Sequence, residues 1–207
     1  MIEEVIRKNG VVPVVTDLPT DKAAAYCEVL LEAGLPVIEV TLRKPYALDS
    51  LKVAADTKGM ITGAGTVYTK EQAQQVVDAG VDFVVSPGLS YDVAEICAAN
   101  DVIYIPGIAS PRDIQDAIGL GLKTLKFFPA EALGGVKTLK AISAPYPGIN
   151  FMPTGGISMD NLKSYLELPN VLGCGGSWLA SADMILNDKM NELSQIIKET
   201  LKLRRQS

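Results

Sequence analysis

Eight short β-prone runs recur along the chain at a near-constant interval, and that rhythm limits the fold more than any other feature. They read VVPVV (11–15), VIEVTL (37–42), ITGAG (61–65), FVVSPG (83–88), VIYIPGI (102–108), TLKFFPA (124–130), NFMPTGG (150–156) and VLGCGGS (171–177). Each is bounded by glycine, proline or polar residues. Successive starts fall about 20–26 residues apart, which suits a repeating strand–helix unit.

Helix signals fill the gaps. Thr20 precedes an apolar face over Asp21–Ala33 (Ala23, Ala24, Cys27, Leu30, Leu31) that ends at Gly34. Thr69 with Gln72 forms a capping box for 70–79, and Ser90 precedes 91–99. Ser110-Pro111 supplies an N-cap and an N1 proline for a helix reaching Leu120, Ser158 precedes 159–168, and a last helix covers roughly 182–203. Residues 1–10, MIEEVIRKNG, read as a short amphipathic helix; they carry acids and no apolar core, so they do not read as a secretory signal. The predicted fold is α/β: a (β/α)8 TIM barrel with a short N-terminal helix, the whole of 1–207 forming one domain. An open doubly wound sheet is the alternative. It rarely uses eight even units, and the glycine fingerprint GxGxxG is missing after the first run.

Composition removes several functions. The net charge is −5, against the basic face that nucleic acid requires; Lys202, Arg204 and Arg205 read as a solvated helix terminus. No apolar stretch approaches the roughly 18–20 residues of a membrane span. Cys27, Cys97 and Cys174 are odd in number, widely spaced and outside any CxxC pattern, as expected of buried thiols in a reducing cytoplasm. The chain has no histidine. That excludes Ser-His-Asp and Cys-His nucleophiles and every His-ligated metal site. No metal or cofactor is expected, and acid–base work falls to carboxylate, lysine, tyrosine, thiol or water.

Strand parity then places the polar residues. With Ile38, Val40 and Leu42 toward the helices, Glu39, Thr41 and Arg43 point inward or to the barrel mouth. With Leu125 and Phe127 toward the helices, Thr124, Lys126 and Phe128 face the axis. A lysine in a β-prone run normally costs stability. A buried Glu39–Lys126 ion pair is the structural explanation, yet such a pair gains little over apolar packing. Desolvation and the charge of Arg43 would instead favour a free amine on Lys126, the form a Schiff-base nucleophile requires. Glycine pairs close the last two runs, in PTGGIS (153–158) and CGGSW (174–178). Loops after strands seven and eight of such barrels commonly bind phosphate through backbone N–H groups.

Read together, IEVTLR (38–43), GAGTV (63–67), SPG (86–88), IPG (105–107), KFFPAE (126–131), GGVK (134–137), PTGGIS and GGSWL (175–179) resemble the 2-keto-3-deoxy-6-phosphogluconate aldolase family, which also acts on 4-hydroxy-2-oxoglutarate. The match runs in order over nearly the whole chain. It implies a metal-free class I aldolase forming pyruvate and glyceraldehyde 3-phosphate, usually a homotrimer, working on a phosphorylated 2-keto acid in the cytoplasm. It assigns the Schiff base to Lys126, the acid/base to Glu39, carboxylate contacts to Arg43 and Thr66, and the pocket lining to Pro87 and Phe128. Thr154, Gly155, Gly156, Gly175, Gly176 and Ser177 would hold the rest of the substrate, its phosphate above all. Lys44-Pro45 and Ser110 depart from the family's usual residues at the mouth and leave substrate preference open. The alternatives are the galactonate-derived epimer as substrate, a sugar-phosphate isomerase or epimerase without a covalent lysine, or a non-catalytic barrel sensing pyruvate or phosphate.

Overall fold

Why the β-prone runs form a wall around a polar interior is visible in their order. The computed structural model describes residues 2–204; Arg205, part of the basic terminus noted above, lies outside them. Helix α1 (Ile2–Asn9) carries Glu3 and Glu4 in its first turn and Arg7 and Lys8 in its last, each sign matched to the helix dipole. Then follow β1 (Val11–Val15), α2 (Thr20–Glu32), β2 (Val37–Thr41), α3 (Ala47–Asp56), β3 (Ile61–Gly65), α4 (Lys70–Asp78), β4 (Phe83–Val85), α5 (Tyr91–Ala99) and β5 (Ile103–Ile105). The second half runs β6 (Gly107–Ile108), α6 (Pro111–Gly119), β7 (Thr124–Phe127), α7 (Gly135–Ser143), β8 (Asn150–Phe151), α8 (Met159–Leu166), β9 (Cys174–Gly176), α9 (Ala182–Leu186) and α10 (Met190–Leu201).

All strand pairings are parallel. One curled sheet has the order β5-β4-β3-β2-β1-β9, and a smaller one the order β6-β7-β8. Isolated bridges Phe151↔Val171 and Thr154↔Gly175 join the β8 side to the β9 side. The expected single strand over 102–108 is two short strands, because Pro106 between them has no N–H for a ladder. β5 pairs with β4 and β6 with β7. The fold is therefore α/β around a curled parallel half-barrel, not one continuous eight-strand ladder.

The helix signals were sound where a side chain caps. Thr69, Ser110 and Ser158 each form a capping box, with Gln72, Asp113 and Asn161, and Ser90 caps α5. Thr20 is not a cap. Pro19 holds that position, and the Thr20 hydroxyl meets Ser50 Oγ at 3.3 Å. α3 and α7 went unpredicted because their caps, Tyr46 and Gly134, offer no side-chain bond. The expected long last helix is broken between α9 and α10, where Asp188 takes φ 56° and binds Lys22 at 2.5 Å.

The buried apolar side chains form one cluster, including Ile38, Val40, Leu125 and Phe127. Helix α1 covers the N-terminal ends of β7 and β8. Thr124 donates to Glu3, and Arg7 Nη2 donates to Asn150 Oδ1 at 3.1 Å. Among the described residues no helix is long and apolar enough to cross a membrane. At the opposite, C-terminal ends of β2, β7 and β9, the residues Arg43, Phe128 and Ser177 line a cavity.

Candidate active site

Glu39 and Lys126 stand on β2 and β7, strands of different sheets, and meet across the interior. Lys126 Nζ lies 3.3 Å from Glu39 Oε1, with Glu39 fully buried and Lys126 6% exposed. The parity argument therefore placed both correctly. Gly65 of ITGAG leaves the space that Glu39 occupies, and Gly63 the space of the Phe83 ring. A Cβ on Gly65 would lie 2.3 Å from Glu39 Oε1, and one on Gly63 would lie 2.2 Å from the Phe83 ring. Glu39 Oε2 has no hydrogen-bond partner, a free acceptor in a buried place. The Lys126 ammonium position lies 5.3 Å from the centroid of the Phe128 ring, within cation–π range.

Phe128 also lines a cavity of ≈ 180 Å³ shared with Arg43, Thr154, Gly155, Gly156, Gly175 and Ser177. Seven of the predicted site residues thus come together around one space, and Phe128 connects it to the lysine. Arg43 Nε donates to Thr66 Oγ1 at 3.4 Å. Thr66 has φ 62°, unusual for a β-branched residue and a place where backbone strain is stored. Neighbours hold it there. Val67 N donates to Val85 O at 3.2 Å, Ser86 Oγ donates to Val67 O, and Tyr104 OH donates to Ser86 Oγ at 2.9 Å.

The glycine pairs divide in role. Gly155 and Gly156 take φ 101° and 76° just ahead of α8, so their loop presents backbone to the cavity at a helix N-terminus. Tyr165 OH donates to Glu131, whose Cβ lies 2.6 Å from where a Cβ on Gly156 would stand. Gly175 permits close approach of Thr154, whose Oγ1 would lie 2.3 Å from an added Cβ. Gly176 is outside the cavity lining, and a Cβ there would meet the Trp178 ring at 2.6 Å. Pro87 and Thr66 are also outside the lining. Pro87 packs its carbonyl against Gly107, the register partner of Lys126.

Sequence reasoning missed Val14, Thr16 and Ile157, all of which line the cavity. The signal available for the first two was parity on β1. At the mouth, Lys44 is 2.8 Å from Asp17, and Tyr46 OH donates to the same carboxylate. Hydrogen bonds from Lys44 and then Tyr46 hold the Asp17 carboxyl below its ordinary range. Ser110 is occupied as the cap of α6. The three cysteines are buried thiols, and burial pushes Cys27 and Cys97 up to about 11. Among the described residues no three His, Cys, Asp or Glu side chains cluster as metal ligands.

The family model and the relatives that match this chain define a carbon–carbon lyase, a class I aldolase. The family model for KDPG and KHG aldolase matches residues 2–196, and the chain belongs to that family. It is 39% identical over 203 residues to 2-dehydro-3-deoxy-phosphogluconate aldolase of Treponema pallidum, covering 98% of this chain and 97% of that one. Among solved structures it resembles the Legionella pneumophila KDPG aldolase with pyruvate captured as a covalent carbinolamine, at TM-score 0.91 and 36% identity over 97% and 98% of the two chains. The Zymomonas mobilis 2-keto-3-deoxy-6-phosphogluconate aldolase with 3-phosphoglycerate aligns at TM-score 0.90 and 36% identity over 99% and 96%.

Proposed function

We propose that this chain cleaves 2-keto-3-deoxy-6-phosphogluconate to pyruvate and glyceraldehyde 3-phosphate, and 4-hydroxy-2-oxoglutarate to pyruvate and glyoxylate, through a Schiff base on Lys126. The observation that carries it is the buried Lys126–Glu39 contact at 3.3 Å opening through Phe128 onto the cavity. The neutral amine of Lys126 attacks the C2 ketone, and the carbinolamine loses water to give a protonated imine. The C3–C4 electron pair then moves into the imine to form an enamine while the C4 hydroxyl gives up its proton and becomes the aldehyde; the enamine takes a proton at C3, and water hydrolyses the resulting imine to release pyruvate and the lysine amine. Glu39, acting through a water on its unpartnered Oε2, is the base, and it serves the dehydration as well.

Arg43 grips the C1 carboxylate, a task suited to its planar fork, with Thr66 adding a hydroxyl. Phe128 and Pro87 shape the pocket at the lysine. Thr154, Gly155, Gly156, Gly175 and Ser177 provide the phosphate end, with Gly176 leaving room for the Trp178 ring beside them, supported by the helix terminus behind the glycine loop and by the phosphorylated ligand of the Zymomonas structure. The two sheets act as one closed (β/α)8 barrel, since β5 and β6 are halves of one run and bridges join the β8 and β9 sides. The chain works as one domain, in a homotrimer, in the cytoplasm.

Borohydride reduction in the presence of pyruvate tests the reading. It should inactivate the enzyme and leave one reduced adduct, on Lys126. An adduct on Lys123 or Lys137 instead, or none, would overturn it.

A further inference from the structure

We propose that Thr16 is a specificity-determining residue, reading the hydroxyl on C5 of the phosphorylated substrate. The inference rests on the function proposed above. The register places this residue. Val14 on β1 is aligned with Glu39 on β2, and Val12 with Gly175 on β9. Thr16, two residues beyond Val14, shares its face, and both line the cavity. Since the sheet order is β2-β1-β9, Thr16 stands between the strand that leads into Arg43 and the strand that leads into Ser177. One end of that span suits a carboxylate and the other a phosphate.

Its hydroxyl is also available. Thr16 is half-buried, and among the described residues its side chain meets no hydrogen-bond partner. Thr41, the next inward residue after Glu39 on β2, has its hydroxyl committed to Val15 O at 3.1 Å. A linear substrate held by carboxylate, imine and phosphate presents two hydroxyls between those points. The one on C4 loses its proton in the cleavage and belongs to Glu39. The one on C5 takes no part in bond making, lies next to the phosphate-bearing carbon, and can both donate to and accept from a threonine hydroxyl.

The experiment is a double-mutant cycle in the synthetic direction. Pyruvate is condensed with glyceraldehyde 3-phosphate or with 3-oxopropyl phosphate, which lacks only the hydroxyl that becomes C5–OH. Wild type, Thr16→Val and Thr16→Ser are compared by kcat/KM, with borohydride–pyruvate trapping scored on the same preparations. With glyceraldehyde 3-phosphate, Thr16→Val should lose about 3- to 10-fold, the size of one neutral hydrogen bond. With the deoxy acceptor the wild-type to variant ratio should fall below about 2, and Thr16→Ser should recover most of the loss on the natural acceptor. Equal ratios for the two acceptors, at any size, overturn the proposal while trapping shows the Schiff-base reading intact. Absence of trapping in the wild type overturns both.

Discussion

Replacing Glu39 by glutamine keeps the side chain's shape, removes the proposed base, and separates catalysis from architecture. The two readings differ in what they charge to the same contact. If Glu39 is only the partner of a buried lysine, removing its charge costs on the order of 3–5 kcal/mol of stability. For a protein of this length each kcal/mol lowers Tm by about 2–4 °C, so the variant would melt roughly 6–20 °C early. The geometry argues for less. At 3.3 Å the Lys126–Glu39 contact is longer than the roughly 2.7–2.9 Å of a strong charge-assisted bond. A pair so loosely made contributes little to folding, and Tm should fall by less than about 6 °C. The chemical loss should be large, about 10²–10⁴-fold in turnover for an absent general base, or about 3–5 kcal/mol of barrier. KM should change less, because Arg43 and the glycine loop hold the two anionic ends. Thermal unfolding, turnover per folded molecule and the rate of borohydride trapping on one preparation decide the matter. A variant melting more than 6 °C early with near-normal turnover would refute the catalytic reading and leave Glu39 as scaffold.

Two further outcomes follow from the geometry. Gly65→Ala puts a methyl 2.3 Å from Oε1 and 2.9 Å from Cγ of the buried Glu39, so the carboxylate must shift; overpacking costs about 1–3 kcal/mol, and kcat should fall at least about tenfold in a protein that still folds, whereas unchanged kcat would show that the carboxylate's position is not critical. Asp17→Asn tests the mouth: because Lys44 and Tyr46 lower the folded Asp17 pKa, its contribution is full above the unfolded value of about 3.9 and is lost as pH falls through the lowered folded value. The Tm gap between wild type and Asp17→Asn should hold above about pH 5 and shrink below about pH 4, and a gap independent of pH would refute the assignment.

Much of this was legible in the chain because local chemistry and final structure agree. VVPVV and ITGAG became β1 and β3 residue for residue, since β-branched runs bounded by glycine and polar residues have few other uses. Capped helices were readable for the same reason, and α3 and α7 were not, because their entries rely on Tyr46 and Gly134 rather than on a hydroxyl or carboxamide. Lys126 and Glu39 were found by parity, which needs only the strand. Thr16 required more, because a threonine at a strand end looks ordinary until the β1–β2 register places it two steps from Val14 at the cavity. The purpose of Gly65 was likewise hidden: that a carboxylate occupies the space a methyl would take is a tertiary fact. Lys44 stood out as a departure, but its partner Asp17 belongs to another loop, and only the fold brings them together.

The places where local rules fail lie close together. A lysine sits in a β-prone strand, a carboxylate is fully buried beside it, and Thr66 is held at φ 62°. Each is unfavourable alone, the backbone strain at about 1–3 kcal/mol. Three unrelated defects would be scattered, and each could be relieved by an apolar or glycine substitution without harm to the fold. Here they are linked. Thr66 takes a hydrogen bond from Arg43 two residues beyond β2, the strand that carries Glu39, and Glu39 reaches Lys126. A buried chain from Tyr104 through Ser86 fixes the Val67 carbonyl, which resists relaxation of the neighbouring threonine. Resources of packing are thus committed to keeping an unfavourable arrangement in place. Folding alone gives no reason for that, whereas an imine-forming site, which needs an amine, a base and a carboxylate grip held at fixed separation, does.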